Sequence, residues 1–198
     1  PERVRKMAAA LGFGKGQDIA DGLQSASGVL PEAETLENEG QFANFCFGQG
    51  ELLATPLQVA GMMNTIAAGG VYHTPFFVEC TVDETTGEEL TPLAHSSSQR
   101  VFAEQTAEKL QELLSGVVAE GTGRQAAPSE GTAAGKTGTA QTGQFRDGEE
   151  LKNYWFAGFY PAEKPRWTIV VMQDAQTEPE VSSAAIFARL CDALSAGQ

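Results

Sequence analysis

Three stretches of this 198-residue chain predict an α+β fold in which helices cover an antiparallel sheet. Residues 154–161 and 166–173 are aromatic and β-branched runs separated by a short turn-forming segment, which reads as an antiparallel hairpin at the sheet centre. Residues 103–119 place Ala107, Leu110, Leu114, Val117 and Val118 at spacings of three and four, the pattern of an amphipathic helix, and Gly121 ends it. Residues 181–194 form a closing helix whose stripe of Ala184, Phe187, Leu190, Cys191 and Leu194 should lie on the sheet. Strands and helices come in separate runs, as in an α+β domain.

The remaining elements follow in order. Residues 1–11 read as a helix with Val4, Met7, Ala8 and Leu11 on one stripe and Gly12 as its stop. A start at Pro1 within that pattern looks like a cut at an element boundary. Residues 13–44 are weakly patterned, mostly loop with a short strand, anchored by Ile19, Leu23, Val29 and Leu30. Thr55 is a helix N-cap, Pro56 fits the first helical position and Gln58 completes a capping box, so a helix should run to about Ala68 and stop at Gly69-Gly70. Its expected stripe is Leu57, Ala60, Met63, Asn64 and Ala67, with the methionines as core filler.

Residues 72–94 read as a peripheral hairpin, with Phe76-Phe77-Val78 and Cys80-Thr81-Val82 as strands and Thr85-Thr86-Gly87-Glu88 as turn. Ser96-Ser97-Ser98 reads as a loop, and residues 142–152 as a polar loop beside the motif described below.

Composition excludes several classes. A formal charge of −13, and no Lys or Arg between residues 17 and 99, argue against a nucleic-acid surface. Cys46, Cys80 and Cys191 are odd in number and far apart, and neither His73 nor His95 has a ligand-spaced partner, so no disulfide framework, metal site or cofactor is implied. No apolar run approaches the roughly 20 residues that span a bilayer.

The chemistry gathers at Gly135-Lys136-Thr137-Gly138-Thr139-Ala140. In an extended strand Thr137 and Thr139 share one face and Lys136 and Gly138 the other. An ammonium and two hydroxyls suit a carboxylate, and Gly138 lets a ligand backbone come close. The Thr139 N–H would be available as an oxyanion donor. The same segment also reads as a plain edge strand, with Lys136 guarding against unwanted pairing.

Further motifs decide between these readings. Phe47-Gly48-Gln49-Gly50 leads into Thr55-Pro56-Leu57-Gln58, Glu120-Gly121-Thr122-Gly123 follows, then the Lys-Thr-Gly-Thr strand, then Trp155-Phe156-Ala157-Gly158-Phe159-Tyr160-Pro161. In order and rough spacing the chain resembles the second half of a penicillin-binding protein transpeptidase domain, nearly throughout its length.

The resemblance implies a partial penicillin-binding, β-lactamase-like fold and a peptidoglycan D,D-transpeptidase that cross-links stem peptides ending in D-alanyl-D-alanine through a serine ester and is inhibited by β-lactams. It makes Lys136 and Thr139 catalytic. Thr137, Gly138, Thr139 and Gln141 become substrate-binding, and no cofactor is needed. It further implies an extracytoplasmic domain on a membrane-anchored parent.

One departure is large. No serine is followed by lysine three positions on, and no Ser-x-Asn occurs, so the nucleophile, its lysine and the second family motif are absent. Residues 1–198 are therefore expected to be the C-terminal portion of a single transpeptidase domain, inactive alone and prone to self-association where the missing N-terminal half would pack. The parent could be monofunctional or carry a glycosyltransferase, the glycine-rich spacing leaning towards the former. A β-lactam-sensing receptor and a nonenzymatic interaction domain on the same scaffold are the other readings.

Overall fold

The computed structural model describes residues 1–20, 23–78, 80–92 and 97–197. Its centre is a three-stranded antiparallel sheet in the order β7 (Ala134–Arg146), β8 (Glu149–Tyr160), β9 (Trp167–Gln176). The α+β architecture read from the sequence is the one observed. Within the sheet β8 is central and β9 lies at an edge among the described residues, so only half of the hairpin expected at the centre is there.

The sheet is a sandwich filling because β8 buries both faces. Phe156 and Tyr160 point to one side and Ala157 and Phe159 to the other, as a two-residue period requires, and all four are buried. Phe156 meets Phe187 of α5 (Ser183–Ala196) with ring centroids 4.7 Å apart, and Ala184 and Cys191 complete that layer. Opposite, Ala134, Ala157 and Phe159 pack on Met63 and Ile66 of α3 (Pro56–Ala67), with Leu110 and Leu114 of α4 (Glu104–Ala119) alongside. At the Gly135–Gly158 pair the backbones approach closely. A Cβ on Gly158 would stand 2.3 Å from the Ala134 carbonyl oxygen, and one on Gly135 2.6 Å from the Phe156 ring.

The capping box of α3 forms as expected: Thr55 Oγ1 accepts from Gln58 N, and Gln58 Oε1 accepts from Thr55 N. Gln58 is buried, and its Nε2 also donates to the Ser27 and Lys15 carbonyls at 2.7 and 3.1 Å. It thereby ties the N-terminal segment to the helix. The buried set of α3 is Gln58, Gly61, Met63, Thr65 and Ile66, so only Met63 of the expected stripe is fully buried; the helix is packed on several sides.

Other expectations are corrected. In α1 (Glu2–Ala10) Val4 and Met7 are exposed, and burial starts at Leu11 and Phe13, beyond the helix. Residues 13–44 hold a paired β1 (Asp18–Ala20) and β2 (Leu23–Gln24), then the start of α2 (Glu39–Cys46). Asn38 caps α2 by accepting from Gln41 N, and only Phe45 is buried, so no apolar stripe announced this helix. Phe76-Phe77-Val78 is not a strand. Instead β3 (Val71–His73) pairs with β6 (Ser98–Arg100), drawing Ser98 out of its expected loop, while β4 (Cys80–Val82) pairs with β5 (Glu89–Pro92). His73 is at an exposed edge as read; His95 lies outside the described residues. In α5, Leu190 is exposed although the stripe assigned it to the sheet.

The polar loop expected at residues 142–152 is a continuation of the β7–β8 hairpin. Asp147 and Gly148 both have positive φ, 53° and 86°, which suits the tight turn that right-twisted strands prefer. Water reaches most of this extension, so no apolar alternation marks it as strand.

Candidate active site

The motif lies on β7, which is hydrogen-bonded to β8 along one edge and, among the described residues, to no strand along the other. Lys136 and Thr139 are exposed, and Thr137 and Gly138 half-buried. Two bonds identify which residues face the open edge. The Thr139 carbonyl accepts from Gln49 Nε2 at 3.2 Å, and the Thr137 carbonyl from Lys136 Nζ at 3.0 Å. A strand residue turns its N–H and C=O to the same edge, and residues two apart share it. The Thr139 N–H thus opens on the unpaired edge.

Lys136 bridges the two faces. Its Nζ also donates to Thr137 Oγ1 at 3.1 Å, and Thr137 Oγ1 lies 3.2 Å from Thr122 Oγ1. An ammonium and two hydroxyls therefore stand in a row. Thr122 is brought there by the turn that ends α4, where Gly121 N and Gly123 N both bond the Val117 carbonyl. A Cβ on Gly121 would meet Val117 Cα at 2.9 Å, so glycine permits the turn. Opposite Gly138 stands Trp155, and a Cβ on Gly138 would lie 3.3 Å from that side chain.

Gln141 is further along β7, its Nε2 donating to Glu150 on β8 at 2.7 Å. Neither Thr122 nor Gln49 was assigned a site role from the sequence, although both stand in the motifs that carried the resemblance. Among the described residues no serine is hydrogen-bonded to a lysine. None of the described His, Cys, Asp and Glu residues cluster as a metal site.

A cavity of about 590 Å³ lies elsewhere. Val118, Ala119, Arg124, Thr132, Ala133 and Glu163 are among its walls, at the start of β7, and no motif residue lines it. There the Thr132 hydroxyl donates to the Glu163 carboxylate and holds its pKa below the usual carboxylate value.

An open strand edge with an ammonium, a hydroxyl row and an outward backbone N–H can hold a carboxylate and a polarised carbonyl side by side. Residues 1–192 match the profile described as the penicillin binding protein transpeptidase domain, and the chain belongs to that family. It is 36% identical over 192 residues to penicillin-binding protein PbpB of Mycolicibacterium smegmatis, covering 88% of this chain and 28% of the relative. The crystal structure of penicillin binding protein 3 from Mycobacterium tuberculosis, complexed with aztreonam, superposes with a TM-score of 0.85 at 30% identity, over 100% of this chain and 46% of that one. The D,D-transpeptidase domain of a peptidoglycan glycosyltransferase from Eggerthella lenta gives 0.82 at 28% identity, over 99% and 48%. The chain thus spans about a quarter of the length of the curated relatives it matches. Among the described residues no helix is long and apolar enough to cross a membrane.

Proposed function

We propose that this chain is the C-terminal portion of a peptidoglycan D,D-transpeptidase domain and supplies the substrate-binding strand of its active site. The observation that carries the reading is the row Lys136, Thr137, Thr122 on an open strand edge, with the Thr139 N–H directed outward beside it. Lys136 attracts the terminal carboxylate of a D-alanyl-D-alanine stem peptide and takes part in proton transfer. Thr137 and Thr139 hydrogen-bond the carboxylate, Gly138 leaves room for the peptide backbone, and the Thr139 N–H forms half of the oxyanion hole. Gln141 contributes further along the strand, exchanging its bond to Glu150 for one to substrate.

The nucleophilic serine comes from residues outside these 198, since no serine here has a lysine one helical turn on. Its Oγ attacks the carbonyl of the penultimate D-alanine, the C–N bond breaks, and the terminal D-alanine leaves with a proton. An amine of a neighbouring stem peptide then resolves the ester. β-Lactams enter the same edge and acylate the same serine, and the parent works at the extracytoplasmic face of the membrane.

The test is D-alanine release from a stem pentapeptide by the complete domain, with the acyl-enzyme trapped and weighed. Release that depends on Lys136 supports the reading. A complete domain that folds but releases no D-alanine and forms no ester contradicts it.

A further inference from the structure

Tyr72, Thr74, Ser97 and Gln99 form a polar platform away from the motif strand. β3 and β6 pair with Tyr72 opposite Gln99, and one step beyond the strand ends Thr74 N donates to the Ser97 carbonyl at 2.9 Å. Residues two apart on a strand share a face, as do residues directly opposite. Two cross-strand pairs therefore stand side by side, and the Thr74 and Ser97 hydroxyls lie 2.8 Å apart. All four residues line a cavity of about 250 Å³, whose other walls include Ala9 and Ala10 at the end of α1 and Lys15 and Gln17 in the loop after it. Gly12, at φ 91°, leaves room for the Tyr72 hydroxyl, since a Cβ there would stand 2.5 Å from the phenol oxygen. That oxygen accepts from Gln17 Nε2 at 3.4 Å, and burial raises the phenol pKa, so Tyr72 keeps its proton as a donor. Helix α3 separates the cavity from the motif: a Cβ on Gly61 would lie 3.1 Å from the Tyr72 ring, whereas Met63 and Ile66 of the same helix pack on the sheet.

The wall chemistry selects a ligand class. Hydroxyls and primary amides each donate and accept, which suits a ligand whose own substituents do both around a ring. A phenol face and two alanine methyls offer apolar contact to the C–H side of such a ring. Among the described residues no carboxylate lines the cavity, although residues 17–99 are rich in Asp and Glu and hold no Lys or Arg. The Gln99 amide and the Lys15 ammonium have no hydrogen-bond or ion-pair partner among the described residues. Drug-sized ligands fill about 300–1,000 Å³, so this cavity takes one small polar ring. We propose that it is a saccharide subsite holding one sugar ring of the glycan strand that bears the stem peptides. The inference rests on the transpeptidase reading above, which is what brings a glycan to the domain. Tyr72, Gln99 and Lys15 hydrogen-bond the ring substituents, and the polymer is held at a point remote from the reacting strand.

The experiment titrates the complete transpeptidase domain containing this chain with chitotetraose, a β-1,4-linked N-acetylglucosamine tetramer, by calorimetry, and measures penicillin acylation on the same samples. Tyr72→Phe removes one hydroxyl and Gln99→Ala one exposed amide. The wild-type domain should bind the tetramer saturably, and each variant should weaken that binding about two- to tenfold, the worth of one hydrogen bond, while keeping the wild-type acylation rate. No saturable binding, or wild-type affinity in both variants, overturns the inference. Displacement of the tetramer by acetate at constant ionic strength would show an anion site at Lys15 and also overturns it, as does a loss of acylation in parallel with binding, which would make the platform a support of the fold. All these results leave the transpeptidase reading intact; that reading falls if the wild-type domain is not acylated by penicillin, whatever the sugar does.

Discussion

The Lys136 ammonium stands 3.1 Å from the Thr137 hydroxyl, although the two side chains leave β7 on opposite faces. The stem of Lys136 curls around the open strand edge to make that contact. Lys136→Ala should therefore remove a charge from the ligand's path without disturbing the core. In the complete domain, penicillin acylation is expected to fall on the order of a hundredfold or more, with stability changed by less than about 0.5 kcal/mol. A stopped-flow acylation rate unchanged in a variant of normal melting temperature would remove Lys136 from the mechanism.

Stability should concentrate where β8 meets α5. Phe156 and Phe187 are fully buried against each other, and neither position can collapse, because Gly135 and Gly158 already bring backbone to the limit of contact. Phe187→Ala is expected to cost about 3–5 kcal/mol. Urea denaturation showing less than about 1 kcal/mol of loss would mean that the packing around Phe187 is not as close as described.

The outer edge of β9 should make the isolated chain self-associate. β8 buries five consecutive residues, Phe156 to Tyr160, but the apolar run Trp167 to Met172 is nowhere fully buried, and among the described residues β9 has only one strand neighbour. A long apolar strand with a bare edge recruits another strand. Sedimentation at high micromolar concentration should show dimers or larger species; a monodisperse monomer would argue against this.

Thiol reactivity should split between Cys46 and Cys191. Cys46 is exposed, whereas burial, with Asp192 adding to it, pushes the Cys191 thiol up to about 12. Near pH 8 an alkylating reagent should label Cys46 quickly and Cys191 only after unfolding. The raised thiol pKa favours the folded state below the unfolded value near 9.0, and this contribution is lost as pH climbs towards 12. Mass mapping of the labelled peptides checks the split, and rapid labelling of native Cys191 would contradict it.

Much of the architecture could be read from local pattern because local chemistry sets it. The Thr55–Gln58 box, the hairpin around residues 162–165 and the helix that stops at Ala119, just before Gly121, each carry their own signal within a few residues. The β7–β8 extension did not, since strands wetted on both faces lack the alternation that burial imposes. Leu190 fits the helical period yet is exposed, because the period alone does not fix how far the buried stripe of a helix extends. At the site, Lys136, Thr137 and Thr139 were legible as one strand. The arrival of Thr122 and Gln49 was not, because contacts across 15 and 90 residues leave no periodicity behind.

The central claim is that this chain holds the binding strand of a transpeptidase and not its nucleophile. Mass spectrometry after incubation with a fluorescent penicillin tests it most directly, using the 198-residue chain and the complete protein in parallel. The account predicts no mass increase on any serine of this chain, and one stoichiometric adduct in the complete protein on a serine outside it. A stoichiometric adduct mapped to any serine between Ser25 and Ser195 would contradict it.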